Sequence, residues 1–172
     1  MTTEYILNQA MERVLDLLTP ENRLVIRVML HTGLRVGDVL ELKPEDLRRR
    51  FVVTERKTGK RRTVTLPDAL LTDLRRISGR FWVFEGRCSE VSHRTRQAVW
   101  ADVKRAAWAC RLTQNVGTHT ARKIFAVELM QKYGDIERVR KALNHSSSSV
   151  TVLYACADKL LEQGLSRRKS AW

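Results

Sequence analysis

Six residues stand out for the chemistry they could perform together: Arg35, Lys57, His119, Arg122, His145 and Tyr154. A tyrosine that attacks a phosphodiester builds negative charge on the nonbridging oxygens of a five-coordinate transition state. Arginine forks are the side chains best shaped to hold that charge. A phenol with an ordinary pKa of about 10 needs neighbouring cations or a histidine base before it attacks at neutral pH. The departing oxygen needs an acid, and a lysine crowded by other cations is suited to the task. No metal is demanded by this inventory.

Each residue sits in a short stretch with a more ordinary reading beside the chemical one. In HTGLRVGDVLEL, Arg35 follows Gly33 closely and Asp38 comes three residues later, which by itself describes a glycine helix stop and a surface ion pair. In ERKTGKRRTVTLP, Lys57 and Lys60 flank a Thr58-Gly59 turn, and lysines at a hairpin tip commonly serve solubility and edge protection. In GTHTARKIFAVEL, His119 and Arg122 are spaced to share one helix face. Gly117 and Thr118 just before them open a helix end of the kind that favours anions. In ALNHSSSSVTVLYACA, four serines separate His145 from the helix expected to carry Tyr154, so the serines read as a turn between two helices.

The elements that must position these residues follow from periodicity. Thr3 to Leu18 has helical apolar spacing, and Thr19-Pro20-Glu21 restarts a helix with Thr19 as N-cap and Pro20 at its first position. That second helix runs to Gly33, and a short one spans 36–42. The β-branched runs FVVTERK and RRTVTLP predict an antiparallel hairpin over 51–66, with FWVFE as a third strand. Helices are expected from Pro67 to Ile77, from Ser92 to Ala109, from Arg122 to Tyr133 and onward to Asn144, with Gly134-Asp135 closing one and capping the next. Further helices begin near Ser148. The fold class is therefore α+β, a mainly helical single domain with a small antiparallel sheet.

Composition narrows the partner. Lys and Arg number 32 against 19 Asp and Glu, a net charge of +13, which points to a polyanion, with double-stranded DNA the leading candidate. Arg48 to Arg50 and Arg56 to Arg62 concentrate cations on and around the hairpin. No run approaches the ~18 uncharged apolar residues of a membrane span, and the acids in MTTEYILNQAMERVLDLL do not suit a secretory signal. Three widely spaced cysteines suggest neither a disulfide framework nor a zinc site. A cytoplasmic protein is expected.

The ordered set TGLR, RKTGKRRTVTLP, HTARK, LNHSS and SVTVLYA resembles the catalytic domain of the tyrosine recombinases, the phage integrase family, over about Leu18 to Asp158. The resemblance implies that Arg35 and Arg122 clamp a scissile phosphate with help from His145. It implies that Tyr154 forms a 3′-phosphotyrosine link, that Lys57 is the general acid, with Lys60 on the same turn as the alternative, and that His119 is a base or hydrogen-bond partner. Asp38 matches an acid that supports the site. Energy is conserved in the covalent link, so no cofactor is implied. Candidate DNA contacts are Lys60, Arg61, Arg62, Arg94, Arg96 and Lys123, with the helix bearing Arg94 and Arg96 as the base reader.

The chain departs from the family pattern at Asn144, where glycine is common, and at Lys123, where histidine is common. It begins at the first helix of the catalytic domain, so the whole of 1–172 is read as that domain without the upstream core-binding domain of its relatives. Residues 159–172 are a candidate segment for exchange between protomers. The resemblance further implies a homotetramer on DNA and accessory DNA-bending proteins. Two other functions fit the same residues: a non-catalytic DNA-binding or regulatory protein of this fold, and a nicking and resealing enzyme similar to type IB topoisomerases.

Overall fold

A computed structural model describes residues 3–6 and 8–143. The chain divides into two compact units, Met1–Phe125 and Ala126–Trp172.

In the first unit the elements run α1 (Asn8–Asp16), α2 (Pro20–Thr32), α3 (Val36–Leu40), a 3₁₀ turn (Pro44–Asp46), β1 (Arg50–Thr54), β2 (Arg61–Thr65), α4 (Asp68–Ile77), α5 (Arg96–Ala109) and the first half of α6 (Thr118–Tyr133). The apolar spacing of α2 puts Val25, Ile26, Val28 and Met29 at zero exposure, so this helix is the axis of the core. Each fully buried side chain of this size contributes about 1.5 to 3 kcal/mol relative to leaving it in water. Met11, Val14 and Leu15 of α1, Val99, Val103 and Ala106 of α5 and Leu70, Leu71 and Leu74 of α4 belong to the same core.

Strands β1 and β2 pair antiparallel, with Phe51 opposite Val64 and Val53 opposite Arg62. Side chains alternate across a strand, and the parity is legible in burial: Phe51, Val53 and Val64 face the core while Arg50, Val52 and Thr54 face out. The loop between them closes when the amides of Glu55 and Gly59 bond the carbonyls of Lys60 and Glu55 at 2.9 and 2.8 Å, with Gly59 left-handed at φ 66°.

The mainly helical α+β class and the hairpin agree with the sequence reading, and four local expectations need correction. The first helix starts at Asn8, and residues 3–6 are tied elsewhere: the Glu4 amide bonds the Asn115 carbonyl at 2.9 Å, and the Thr120 hydroxyl donates to the Glu4 carbonyl. No third strand forms at FWVFE. The Val83 amide bonds the Leu42 carbonyl, and Glu85 and His93 make one isolated bridge, so the segment has no ladder partner. Helix α5 begins at Arg96, since the Thr95 hydroxyl caps the Ala98 amide, and this leaves Arg94 ahead of the helix. Helix α6 begins four residues before Arg122, at Thr118, so it carries both His119 and Arg122.

Thr19 also acts differently from a side-chain N-cap. Its hydroxyl and amide both donate to Asp102 on α5 at 3.0 Å. Asn22 of α2 adds a bond at 2.8 Å and Arg105 two more, at 3.1 and 2.6 Å. A buried carboxylate is tolerated only with such a full set of donors. Burial alone would raise its pKa, and the donors outweigh burial to hold it below the ordinary carboxylate value.

In the second unit α6 ends at Gly134, left-handed at φ 62° with its amide on the Met130 carbonyl at 2.8 Å. Asp135 then caps α7 (Ile136–Leu143) by accepting from the Glu137 and Arg138 amides. The capping read from Gly134-Asp135 is borne out. Among the described residues no helix is long and apolar enough to cross a membrane.

Asp102→Ala is expected to lower unfolding free energy by about 3 kcal/mol, because it strands donors on α2 and α5. A depressed carboxylate stabilises above its unfolded pKa and loses that contribution as pH falls through its folded one. Urea titrations should therefore show the gap between wild type and variant narrowing below about pH 4.

Candidate active site

The site forms where α2 stops. Gly33 adopts the left-handed conformation, φ 63°, with its amide on the Met29 carbonyl at 2.8 Å. Leu34 then buries completely, and Arg35 becomes the N-cap residue of α3. The reversal at Gly33 thus turns Arg35 toward the hairpin.

The last carbonyls of α2 have no partner within the helix and carry its negative dipole end. Two arginines supply them. Arg62 of β2 donates Nη2 to the Thr32 carbonyl at 2.6 Å, and Arg122 of α6 donates Nη1 to the Gly33 carbonyl. Strand β2 and helix α6 are fastened by these bonds to the same turn that sets Arg35.

Glu55 sits at zero exposure beneath the cluster. Its Oε2 accepts from Arg35 Nη1 and from the Thr58 hydroxyl, and its Oε1 pairs with Arg62 Nε at 3.4 Å. Asp38, also buried, accepts the Arg56 amide at 3.0 Å and so ties α3 to the hairpin loop. Its second oxygen makes no hydrogen bond among the described residues, and its charge steadies Arg62 and Arg122.

The result is a crowded group of cations. Burial, and then repulsion from Arg35 and Arg62, push Arg122 down to about 10, with Glu55 and Asp38 opposing. Burial likewise lowers Arg62. His119, exposed on the first turn of α6, is lowered first by desolvation against its neighbours and then by Arg122, Arg35, Lys123 and Lys57. The shift favours the neutral imidazole, the state that can accept a proton or a hydrogen bond.

The structure brings Arg122, Arg35 and Lys57 within electrostatic range of His119, and Arg35 and Asp38 within range of Arg122. Lys57 and Lys60 are exposed on the hairpin loop, and Arg61 is exposed on β2. Arg62 turns inward. Arg94 is mostly covered and pairs with Glu21 at 3.4 Å. Arg96 is exposed at the start of α5, and Lys123 donates to the Thr3 carbonyl. His145, Tyr154 and the segment 159–172 lie outside the described residues. Among the described residues no group of His, Cys, Asp and Glu is composed to hold a metal.

Two participants escaped the sequence reading. Glu55 has no role in the sequence reading, and Arg62 is read there as a DNA contact rather than as a buried partner of the site. Strand parity was the available signal: 51, 53 and 55 share one face, and so do 62, 64 and 66, whose apolar members are buried.

A family model described as the phage integrase family matches residues 4–160. The chain belongs to the phage integrase family. Among relatives of this integrase domain, a probable integrase/recombinase of Bacillus subtilis, YoeC, is 31% identical over 137 residues, covering 76% of this chain and 74% of its own length. Of similar solved structures, the XerH recombinase bound to a palindromic difH substrate in a post-cleavage complex aligns with TM-score 0.73 and 23% identity, over 96% of this chain and 53% of that one. The catalytic domain of bacteriophage HP1 integrase aligns with TM-score 0.69 and 21% identity, over 96% and 95%. The fold is thus that of a tyrosine-recombinase catalytic domain, as the sequence resemblance implies. This integrase chain spans about half the length of several further tyrosine recombinases it matches, 49% of one and 50% of another.

His119 should titrate below the ordinary histidine value of about 6.5 in an NMR pH series. Arg35→Gln removes one of the cations that hold it down, so the midpoint should move upward.

Proposed function

We propose that this chain is a tyrosine-type DNA strand transferase, cleaving and rejoining DNA in site-specific recombination through a 3′-phosphotyrosine intermediate on Tyr154. The observation that carries the reading is the grouping of Arg35, Arg122 and Lys57 around a His119 whose pKa they lower, in a chain of the integrase family.

The chemistry follows from the groups. Arg35 and Arg122 bind the nonbridging oxygens of the scissile phosphate, and His145 adds a further donor. Tyr154 attacks phosphorus. The P–O bond to the 5′ oxygen breaks, and Lys57 delivers the proton that oxygen needs. His119, pushed toward its neutral form, accepts a proton or a hydrogen bond as the phenol is deprotonated. The guanidiniums act most strongly on the transition state, where the charge on the oxygens is greatest. Rejoining is the reverse reaction, with a 5′ hydroxyl attacking the phosphotyrosine and Lys57 taking the proton.

Duplex DNA is the substrate, met first by the exposed Lys60, Arg61 and Arg96. Association is steered by the excess of 32 cations over 19 anions and weakens steeply with salt. The same reading has four copies assembling on paired sites in the cytoplasm, residues 159–172 exchanging between protomers and DNA-bending proteins assisting.

The test is incubation with negatively supercoiled plasmid at low salt, followed by a detergent quench. Relaxed topoisomers and protein covalently joined to DNA are expected from wild type, and no adduct from Tyr154→Phe. An unchanged adduct in that variant overturns the nucleophile assignment. Lys57→Ala should slow adduct formation by about 100-fold or more, whereas Lys60→Ala should mainly weaken plasmid binding. The reverse pattern would make Lys60 the acid.

A further inference from the structure

We propose that Glu55 is a positioning residue for cleavage, a buried counter-ion that with Arg62 sets the angle and spacing of Arg35. The proposal rests on the strand-transferase reading above and names a residue that reading does not use.

A carboxylate with no exposure is costly unless cations and donors surround it. Glu55 meets that requirement with Arg35 and Thr58 on one oxygen and Arg62 on the other. Its place is fixed by the backbone rather than by the ion pairs: it follows β1 in the inward parity, and its own amide and carbonyl close the hairpin loop through Lys60, Thr58 and Gly59. Arg62 is held equally firmly, opposite Val53 in the ladder and on the Thr32 carbonyl. Arg35 thus leans on a post anchored at both ends.

Burial separates this role from competition with substrate. A group that mimicked phosphate would occupy the accessible side of the arginines, and Glu55 is at zero exposure while the Arg35 side chain remains 20% exposed. The carboxylate engages Nη1 of Arg35. The remaining N–H groups of the five-donor fork stay available to a phosphate on the open side. Glu55 also offsets the repulsion that three clustered guanidiniums would otherwise exert on one another.

The decisive variant is Glu55→Gln, which keeps the shape and removes the charge. With wild type forming the plasmid adduct, Glu55→Gln should form it about tenfold more slowly, while plasmid affinity by fluorescence anisotropy stays within about threefold. An unchanged or faster rate overturns the proposal, and so does an affinity loss that matches the rate loss, which would signal general collapse of the site. Should the variant fail to fold, or wild type form no adduct and the strand-transferase reading fall, the wild-type protein decides alone. NMR of its arginine side chains should show the Arg35 guanidinium with hindered rotation and slow hydrogen exchange. Exchange as fast as in free arginine removes the post on which the proposal stands.

Discussion

Everything in the candidate site depends on how the C-terminal end of α2 is finished. A helix leaves its last carbonyls without partners, and here those of Thr32 and Gly33 are met by guanidiniums from β2 and α6. Distant parts of the sequence are drawn to one turn by that need. The turn itself exists because residue 33 is glycine, whose left-handed backbone a side chain would resist by roughly 1 kcal/mol or more. Arg35 is therefore placed two residues beyond that turn.

Bringing three arginines, a lysine and a histidine together is unfavourable before any ligand arrives. The strain is visible in Arg122, held well below an ordinary guanidinium, and in a histidine pushed toward its neutral form. Two buried carboxylates, Glu55 and Asp38, offset part of it from behind, and each also fixes the hairpin loop, one through its backbone and one through the Arg56 amide. The residual positive field faces outward. A dianionic transition state entering such a site meets donors already oriented, so little reorganisation is needed.

Much of this was legible in residue types and order. The glycine stop, the hairpin with Thr58-Gly59 at its tip, the i, i+3 spacing of His119 and Arg122 and the Gly134-Asp135 junction all follow from local rules that tertiary packing leaves in force. What failed depended on distant partners. The apolar spacing of Thr3 to Leu18 reads as one helix, but bonds from Asn115 and Thr120, more than a hundred residues away, hold residue 4 outside it. Arg94 reads as part of an exposed basic helix face until Glu21 of α2 claims it. Glu55 and Arg62 were hidden by composition: a run of charges suggests solvent, and only the two-residue parity of each strand shows which members point inward.

Among the described residues the hairpin has two strands, so the outer edges of the ribbon carry backbone groups with no ladder partner there. Val52 on its outer face is 46% exposed, flanked in register by threonines and by Arg50 and Arg61. Guanidiniums on both strands make edge-to-edge pairing of two copies a meeting of like charges. The cations suited to a phosphate backbone thereby also guard the ribbon against self-association, and a polyanion would both engage the hairpin and lift that mutual repulsion.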